Sequence, residues 1–355
     1  MLVNKKIEKS STIDSKFYTS DFVFFESKKI FENTWQFVTH ESNLAEKNAF
    51  PFSYLDKFID EPLVIIKNND SVNCFSNVCT HRGNILVEKH SVFSSNFYCR
   101  YHGRRFNSKG KCVYMPKFEN VEGFPSPKDD LKKINVSNWR QFIFCSLNNK
   151  LRIDHFFSEM DKRIGWMPIE DFVFEPKLSK DYEVKANWAL YCDNYLEGFH
   201  IPFVHHDLAK KFEYDEYSVE LFPYSNLQLG IGKRGQDCFN LPKSSSDYGK
   251  NIIAYYFWIF PNMMFNFYPW GLSLNIVKPI SKDLTKIEFR SFVWDKTKLK
   301  KGAGSDLDKV EKEDEEIVES VQRGVKSRFY DKGRFSPSME TGVHHFHTLI
   351  SDFMK

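Results

Sequence analysis

What the chain lacks narrows its identity first. Nowhere in its 355 residues is there a run of the roughly 18 to 20 apolar residues that a bilayer span requires. Residues 1–12 are polar and charged rather than an apolar signal segment, so a cytoplasmic protein with no membrane partner is expected. Charge excess is missing too. Against 47 Asp and Glu stand 50 Lys and Arg, a formal net charge of +3. The basic residues are scattered rather than gathered into a stripe that neutralises a phosphate backbone, and nucleic acid is not an expected partner. A paired cysteine framework is absent: the seven cysteines, at 74, 79, 99, 112, 145, 192 and 238, are odd in number and widely spaced. That argues for thiols or metal ligands over disulfides. There is no internal repeat, no low-complexity tract, and no Gly-rich dinucleotide fingerprint between a strand and a helix.

What is present is apolar and aromatic. Hydrophobic residues make up 41% and aromatics 17%, with 36 Phe, enough to fill a core and line an apolar pocket. The length suits two or three cores. Periodicity predicts one N-terminal helix within 20–38, with the pattern turning strand-like near its end. A small all-β module follows, with strands near 63–67, 74–77, 96–98, 111–115 and 141–146, punctuated by turn residues such as Asn68-Asn69-Asp70 and Ser108-Lys109-Gly110. After a charged connector at 153–166, a strand is expected at 182–185 and a helix at 187–199. Further strands are expected near 254–260, 263–268, 272–279 and 286–294, then a helix at 306–324.

Two constellations carry the chemistry. In the β module, Cys79-Thr80-His81-Arg82-Gly83 is followed, after seventeen intervening residues beyond His81, by Cys99-Arg100-Tyr101-His102-Gly103. Each loop offers one thiolate and one imidazole. Two thiolates suit one iron of a [2Fe-2S] cluster, and two neutral imidazoles suit the other and raise its potential. A tetrahedral zinc site is the competing reading, but a zinc finger groups cysteines with cysteines and histidines with histidines, whereas each pair here is mixed. The second constellation is Asp193-Asn194-Tyr195-Leu196-Glu197-Gly198-Phe199-His200 followed by His205 and His206. Two histidines at this spacing plus one carboxylate make a facial triad that leaves open positions at Fe(II). Ordinary polar residues of a helix and loop are the alternative.

Both loops of the first constellation, with the 187–206 segment, resemble the Rieske non-heme iron oxygenases, catalytic alpha subunits of the aromatic-ring-hydroxylating family. One departure stands out: Arg104-Arg105-Phe106 follows His102-Gly103 where many members have Trp. The resemblance implies an α+β fold. Residues 1–40 form an N-terminal helical segment packing on the catalytic domain, 41–150 an all-β Rieske domain, and 151–355 a helix-grip-like catalytic domain with an antiparallel sheet flanked by helices. It assigns Cys79, Cys99, His81 and His102 to the cluster, and His200 and His205 to a mononuclear Fe(II). Family spacing selects His205 over His206. Glu197 falls at the bridging acid that joins an iron histidine to a cluster histidine of a neighbouring subunit, which implies a homotrimer. Asp314, within the acidic run 311–324, falls at the third iron ligand, with Glu313 and Glu315 as neighbours in that run.

The implied reaction is reductive O2 activation, with electrons entering at the cluster and reaching the mononuclear iron through Glu197. The electrons come from a separate NAD(P)H reductase, with or without a ferredoxin. Segments 260–266 and 319–324 look most like the branch acting on choline, carnitine or glycine betaine, which implies oxygenation of a small organic substrate of the quaternary ammonium type with oxidative C–N cleavage. Aromatic-ring dihydroxylation is the alternative. From another class, a Rieske electron carrier would leave His200, His205 and Asp314 without a role, and a zinc-binding interaction protein would be colourless and redox-silent. Val343-His344-His345-Phe346-His347 is expected to be structural or pocket-lining, and cysteines 74, 112, 145, 192 and 238 to behave as small hydrophobes.

Overall fold

The computed structural model describes residues 3–68, 71–148, 150–211, 213 and 217–355. They divide into two compact units, one of residues 32–153 and one of residues 1–31 with 154–355.

The 32–153 unit is all β. Six strands, β1 (Gln36–His40), β2 (Ala49–Tyr54), β3 (Glu61–Asn68), β4 (Ser71–Ser76), β8 (Lys133–Trp139) and β9 (Phe142–Ser146), form a sheet in the order β1-β9-β8-β4-β3-β2. Three short ones, β5 (Asn96–Tyr98), β6 (Arg105–Asn107) and β7 (Cys112–Tyr114), form a second sheet. Asn68 pairs with Ser71, while Asn69 and Asp70, expected as turn residues, lie outside the described residues. The core gathers Val64, Ile66, Phe75, Phe97 and Phe106 around Cys79 and Cys99. The two mixed Cys/His loops therefore grow from a packed base, the first following β4 and the second joining β5 to β6.

The strand-like end of the 20–38 stretch is β1, but the single helix expected before it is not what forms. Three short helices, α1 (Lys16–Thr19), α2 (Asp21–Glu26) and α3 (Lys28–Glu32), precede β1. Serines interrupt the run: Ser20 Oγ accepts the Val23 amide, and Ser27 Oγ donates to the Phe24 carbonyl at 2.6 Å. Such side chains offer the backbone a local alternative to a continuous helix. The aromatics that suggested one apolar stripe do not share a buried face, since Phe22 and Phe25 are exposed while Phe31 is fully buried.

In the second unit, eight antiparallel strands form one sheet: β10 (Val173–Phe174), β11 (Lys180–Val184), β12 (Val219–Phe222), β13 (Ser225–Ile231), β14 (Ile252–Ile259), β15 (Met263–Tyr268), β16 (Gly271–Ser281) and β17 (Leu284–Val293). β12 and β13 fall in a stretch whose polar residues hid their alternation. The middle strands are buried almost throughout, because helices cover them. α4 (Asp154–Ile164) brings Phe157 against Phe265, and α9 (Thr341–Phe353) brings Phe346 against Trp258. Two more helices carry the chemistry. α5 (Trp188–Tyr195) starts where the Asn187 side chain accepts the Ala189 amide, and α8 (Leu307–Gly324) starts where Asp306 accepts the Lys309 amide. Among the described residues no helix is long and apolar enough to cross a membrane.

Candidate metal centres

The two Cys/His loops are built alike. In the first, the Cys79 amide donates to Asn84 O at 2.8 Å and the Gly83 amide to Cys79 O at 3.0 Å. In the second, the Cys99 amide donates to Arg104 O at 2.8 Å and the Gly103 amide to Cys99 O at 2.9 Å. Gly83 and Gly103 sit at φ 71° and 77°, the left-handed region a side chain disfavours. Both sulfurs are buried, and the His81 and His102 rings lie 4.8 Å apart.

The polar atoms of this pair of loops show what they suit. His81 Nδ1 and His102 Nδ1 are both buried and neither has a hydrogen-bond partner. Buried polar atoms are normally satisfied, so two unsatisfied imidazole nitrogens beside two buried thiols fit a group that accepts all four donors. Partial burial, then the charges of His102, Arg104 and Arg82, hold His81 below the ordinary imidazole value, in the neutral form that ligates. Burial, with Cys99 adjacent, pushes the Cys79 thiol up; a metal ion is what displaces such a proton.

Arg104, the departure from the family pattern, is a buried clamp. Its guanidinium donates to Thr80 Oγ1 at 2.7 Å and Asp129 Oδ1 at 2.8 Å, over the rings of Phe118 and Phe124. Thr80 lies between Cys79 and His81, so the residue after the second loop fixes the first. Its sequence signal was the missing Trp, which did not reveal this role.

The second constellation assembles where α5 ends. The helix expected to continue through 199 stops at Tyr195, because Gly198 weakens it and Pro202 belongs in a first turn. The chain then forms α6 (Ile201–Val204), with His200 just before it and His205 just after. α8 faces this turn. Its charged run is solvated on one side, but Glu311, Asp314, Val318 and Gln322 recur on the inner side, with Glu311, Val318 and Gln322 buried. His200 Nε2 lies 3.6 Å and His205 Nε2 2.9 Å from Asp314 Oδ1. One ligand atom from each of His200, His205 and Asp314 lies within 4.8 Å of the others, so the three side chains face one point that an ion can share.

The other nitrogens of both rings are held. Glu197 Oε1 is 2.7 Å from His200 Nδ1, and Glu313 Oε2 is 2.7 Å from His205 Nδ1. Carboxylates placed this way fix the tautomer and aim the opposite nitrogen. Glu313 was a neighbour of Asp314 in the sequence; in space it sits behind His205 instead. His206, adjacent to His205, is exposed. Burial lowers the His205 pKa, but the hydrogen bonds and charges of Asp314 and Glu313 outweigh it and leave the group raised. Asn194 Nδ2 donates to Asp314 Oδ1 at 2.6 Å, a contact the sequence did not suggest.

A cavity of about 120 Å³ opens onto this triad, lined by the rings of Tyr191, Tyr195, Tyr256, Tyr268 and Phe289 and by Glu311. The C-terminal histidines stand outside it with protein partners: His344 with Asn4 O, His345 with Asn226 Oδ1, and His347 with Asp193 Oδ1. Cys74, Cys112, Cys145 and Cys192 are buried and Cys238 is half-buried.

Comparison with known proteins falls on the same two regions. Residues 34–125 match the Rieske [2Fe-2S] domain. Residues 174–355 match the ring hydroxylating alpha subunit (catalytic domain). The chain is 29% identical to a chloroplastic choline monooxygenase of Arabidopsis thaliana, over 98% of this chain and 84% of that one. It is 27% identical to the carnitine monooxygenase oxygenase subunit of Escherichia coli (strain K12), over 97% and 94%. Among solved structures it superposes on a quaternary ammonium Rieske monooxygenase bound to L-carnitine with TM-score 0.76 and 25% identity, over 99% of this chain and 97% of that one. Naphthalene 1,2-dioxygenase from Rhodococcus sp. shares the fold, with TM-score 0.73 and 17% identity, over 97% and 94%.

Proposed function

Since the chain belongs to the ring-hydroxylating alpha subunits of the Rieske oxygenases, we propose that it oxygenates a small quaternary ammonium compound, hydroxylating a carbon beside nitrogen so that the C–N bond then breaks. The observation that carries this reading is the cavity beside His200, His205 and Asp314. It offers five aromatic rings and acidic side chains, and none of its described lining residues is Lys or Arg. An aromatic face is worth roughly 0.5 to 2 kcal/mol to a cation at close range. The cavity's size is comparable to the roughly 150 Å³ that accepts a benzene, which suits a small substrate.

In this reading Cys79 and Cys99 hold one iron of the cluster, His81 and His102 the other, and His200, His205 and Asp314 the mononuclear iron. When bound, the cluster supplies single electrons and the mononuclear iron activates O2. The chain itself supplies position. Glu197 and Glu313 lock the two imidazoles, Asn194 holds the Asp314 carboxylate, and the aromatic walls keep water from the substrate's reacting carbon. One oxygen atom ends in the C–OH bond and the other in water, with a pair of electrons from a separate NAD(P)H reductase, alone or through a ferredoxin.

Glu197 is assigned as the link to a cluster histidine of a neighbouring subunit, which requires a ring-shaped oligomer, and a homotrimer is the assembly we assign. Residues 41–150 are assigned to the Rieske domain, 151–355 to the catalytic domain and 1–40 to an N-terminal segment. A cytoplasmic setting accords with seven cysteines that form no disulfide.

The test is turnover by the iron-loaded protein with a Rieske reductase, NADH and O2 on a panel of quaternary ammonium compounds and arenes. NADH consumption coupled to loss of an ammonium substrate supports the reading. Coupled turnover of arenes alone overturns it.

A further inference from the structure

The cavity beside the iron triad holds a carboxyl that the metal centre does not use. Glu311 lies on α8 one turn before Asp314 and is 2% exposed. Its Oε2 accepts the Tyr191 hydroxyl at 2.5 Å, while its Oε1 is buried and has no hydrogen-bond partner. Burial, reinforced by Asp314, Glu315 and Asp308 and only partly relieved by the Tyr191 hydrogen bond, holds Glu311 well above the ordinary carboxylate range. A lone ionised carboxyl in such a place is costly, and a cation brought against it offsets that cost.

The rest of the lining sets the sign. Glu197, Glu311 and Asp314 face the cavity together with Tyr195, Tyr256 and Phe289, and no described lining residue is Lys or Arg. A trimethylammonium group meets aromatic faces and an acid there. A substrate's own carboxylate would be buried among acids, with no Lys or Arg among the described lining residues to pair with it.

We propose that Glu311 is the specificity-determining residue of this cavity, taking the cationic head of the substrate on its free oxygen, and that the substrate is a quaternary ammonium alcohol or alkylamine without a carboxylate. This rests on the quaternary ammonium reading above and deepens it. Tyr191 is the positioning residue: its hydroxyl occupies Oε2 and leaves Oε1 without a hydrogen-bond partner. Selectivity then arises from a double condition. Neutral molecules leave the acid unpaired, and zwitterions such as carnitine add a second buried carboxylate.

The test is equilibrium binding by calorimetry on the holoprotein, with choline, L-carnitine and the neutral carbon isostere of choline, in which a tert-butyl group replaces trimethylammonium. Wild type is expected to bind choline at least about tenfold more tightly than either of the other two. Glu311→Gln, which keeps the shape, is expected to bring choline and its isostere within about threefold of each other. The proposal is overturned if wild type binds L-carnitine as well as choline, or if the choline-to-isostere ratio is unchanged in Glu311→Gln. Should that variant lose its cluster absorbance, the wild-type ratio of choline to L-carnitine decides alone. Binding of arenes with no binding of either ammonium compound would overturn this inference and the function it rests on. Preference for L-carnitine would overturn this inference only.

Discussion

Glu197 and His200 are joined twice: Glu197 Oε1 stands 2.7 Å from the ring nitrogen Nδ1, and Glu197 Oε2 accepts the His200 backbone amide at 3.1 Å. The same imidazole turns Nε2 toward Asp314. One carboxylate therefore fixes both the backbone and the ring of a proposed iron ligand. Glu197→Gln is expected to leave the visible spectrum of the cluster intact and to slow reoxidation of the reduced cluster in single turnover by about 10- to 100-fold. Stopped-flow absorbance of the prereduced protein mixed with O2 and substrate checks this; an unchanged rate would remove Glu197 from the electron route.

His200 and His205 bracket the single turn of α6, and together with Asp314 they form the triad. The double variant His200→Ala/His205→Ala is expected to retain the cluster and lose the mononuclear iron, so that iron per chain falls from about three to about two with acid-labile sulfide constant at about two. Iron and sulfide assays with EPR, after anaerobic reconstitution with Fe(II), measure it. About two irons in both proteins would favour an electron carrier.

Metal uptake should depend on pH through His205. Its folded pKa is raised, so in the metal-free protein the protonated ring adds stability below the unfolded value of about 6.5, and that contribution is lost as pH rises through the folded value. Because iron and the proton compete for the ring, Fe(II) affinity is expected to weaken as pH falls through the raised value. Glu313→Gln removes one of the groups that raise it and is expected to move the onset to lower pH. Anaerobic Fe(II) titrations of both proteins across pH 6 to 8, roughly the window of imidazole titration, would show whether the curves separate.

The Arg104 clamp offers a test within the 32–153 unit. Its side chain is 2% exposed and Asp129 is 23% exposed. Arg104→Ala leaves Asp129 and Thr80 without their donor and is expected to cost about 2 to 4 kcal/mol, with faster loss of the cluster. Denaturant unfolding followed at the cluster absorbance gives both numbers. Ser126 and Arg104 together hold the Asp129 pKa down against burial. The stabilisation is therefore present above the unfolded carboxylate value of about 3.9 and disappears as pH falls through the folded one. In acid the wild type and Arg104→Ala should converge.

Much of this was legible in the chain. Cys79-x-His81 and Cys99-x-x-His102 are local motifs, whose ligand set is written in order because one short loop carries each pair. Strands such as Met263–Tyr268 were readable because a short, mostly apolar run follows turn residues Pro261 and Asn262. His200 and His205 were readable because one helical turn separates them.

What the sequence could not decide was which side chains meet across distant segments. Asp314, Glu313 and Glu315 are equivalent as a charge run; the rotation of α8 against α5 gives Asp314 to the metal triad and places Glu313 behind His205. The N-terminal aromatics suggested one helix, but serine side chains compete for its backbone and the apolar residues find separate neighbours. Glu311 was one acid of the run 311–324, and only packing buried it. Local chemistry is carried by residues adjacent in the chain, so the sequence determined it. The pairing of Glu311 with Tyr191, of Arg104 with Thr80 and Asp129, and of Glu197 and Glu313 with opposite histidines depends on helix rotation and loop closure, which only the tertiary structure sets.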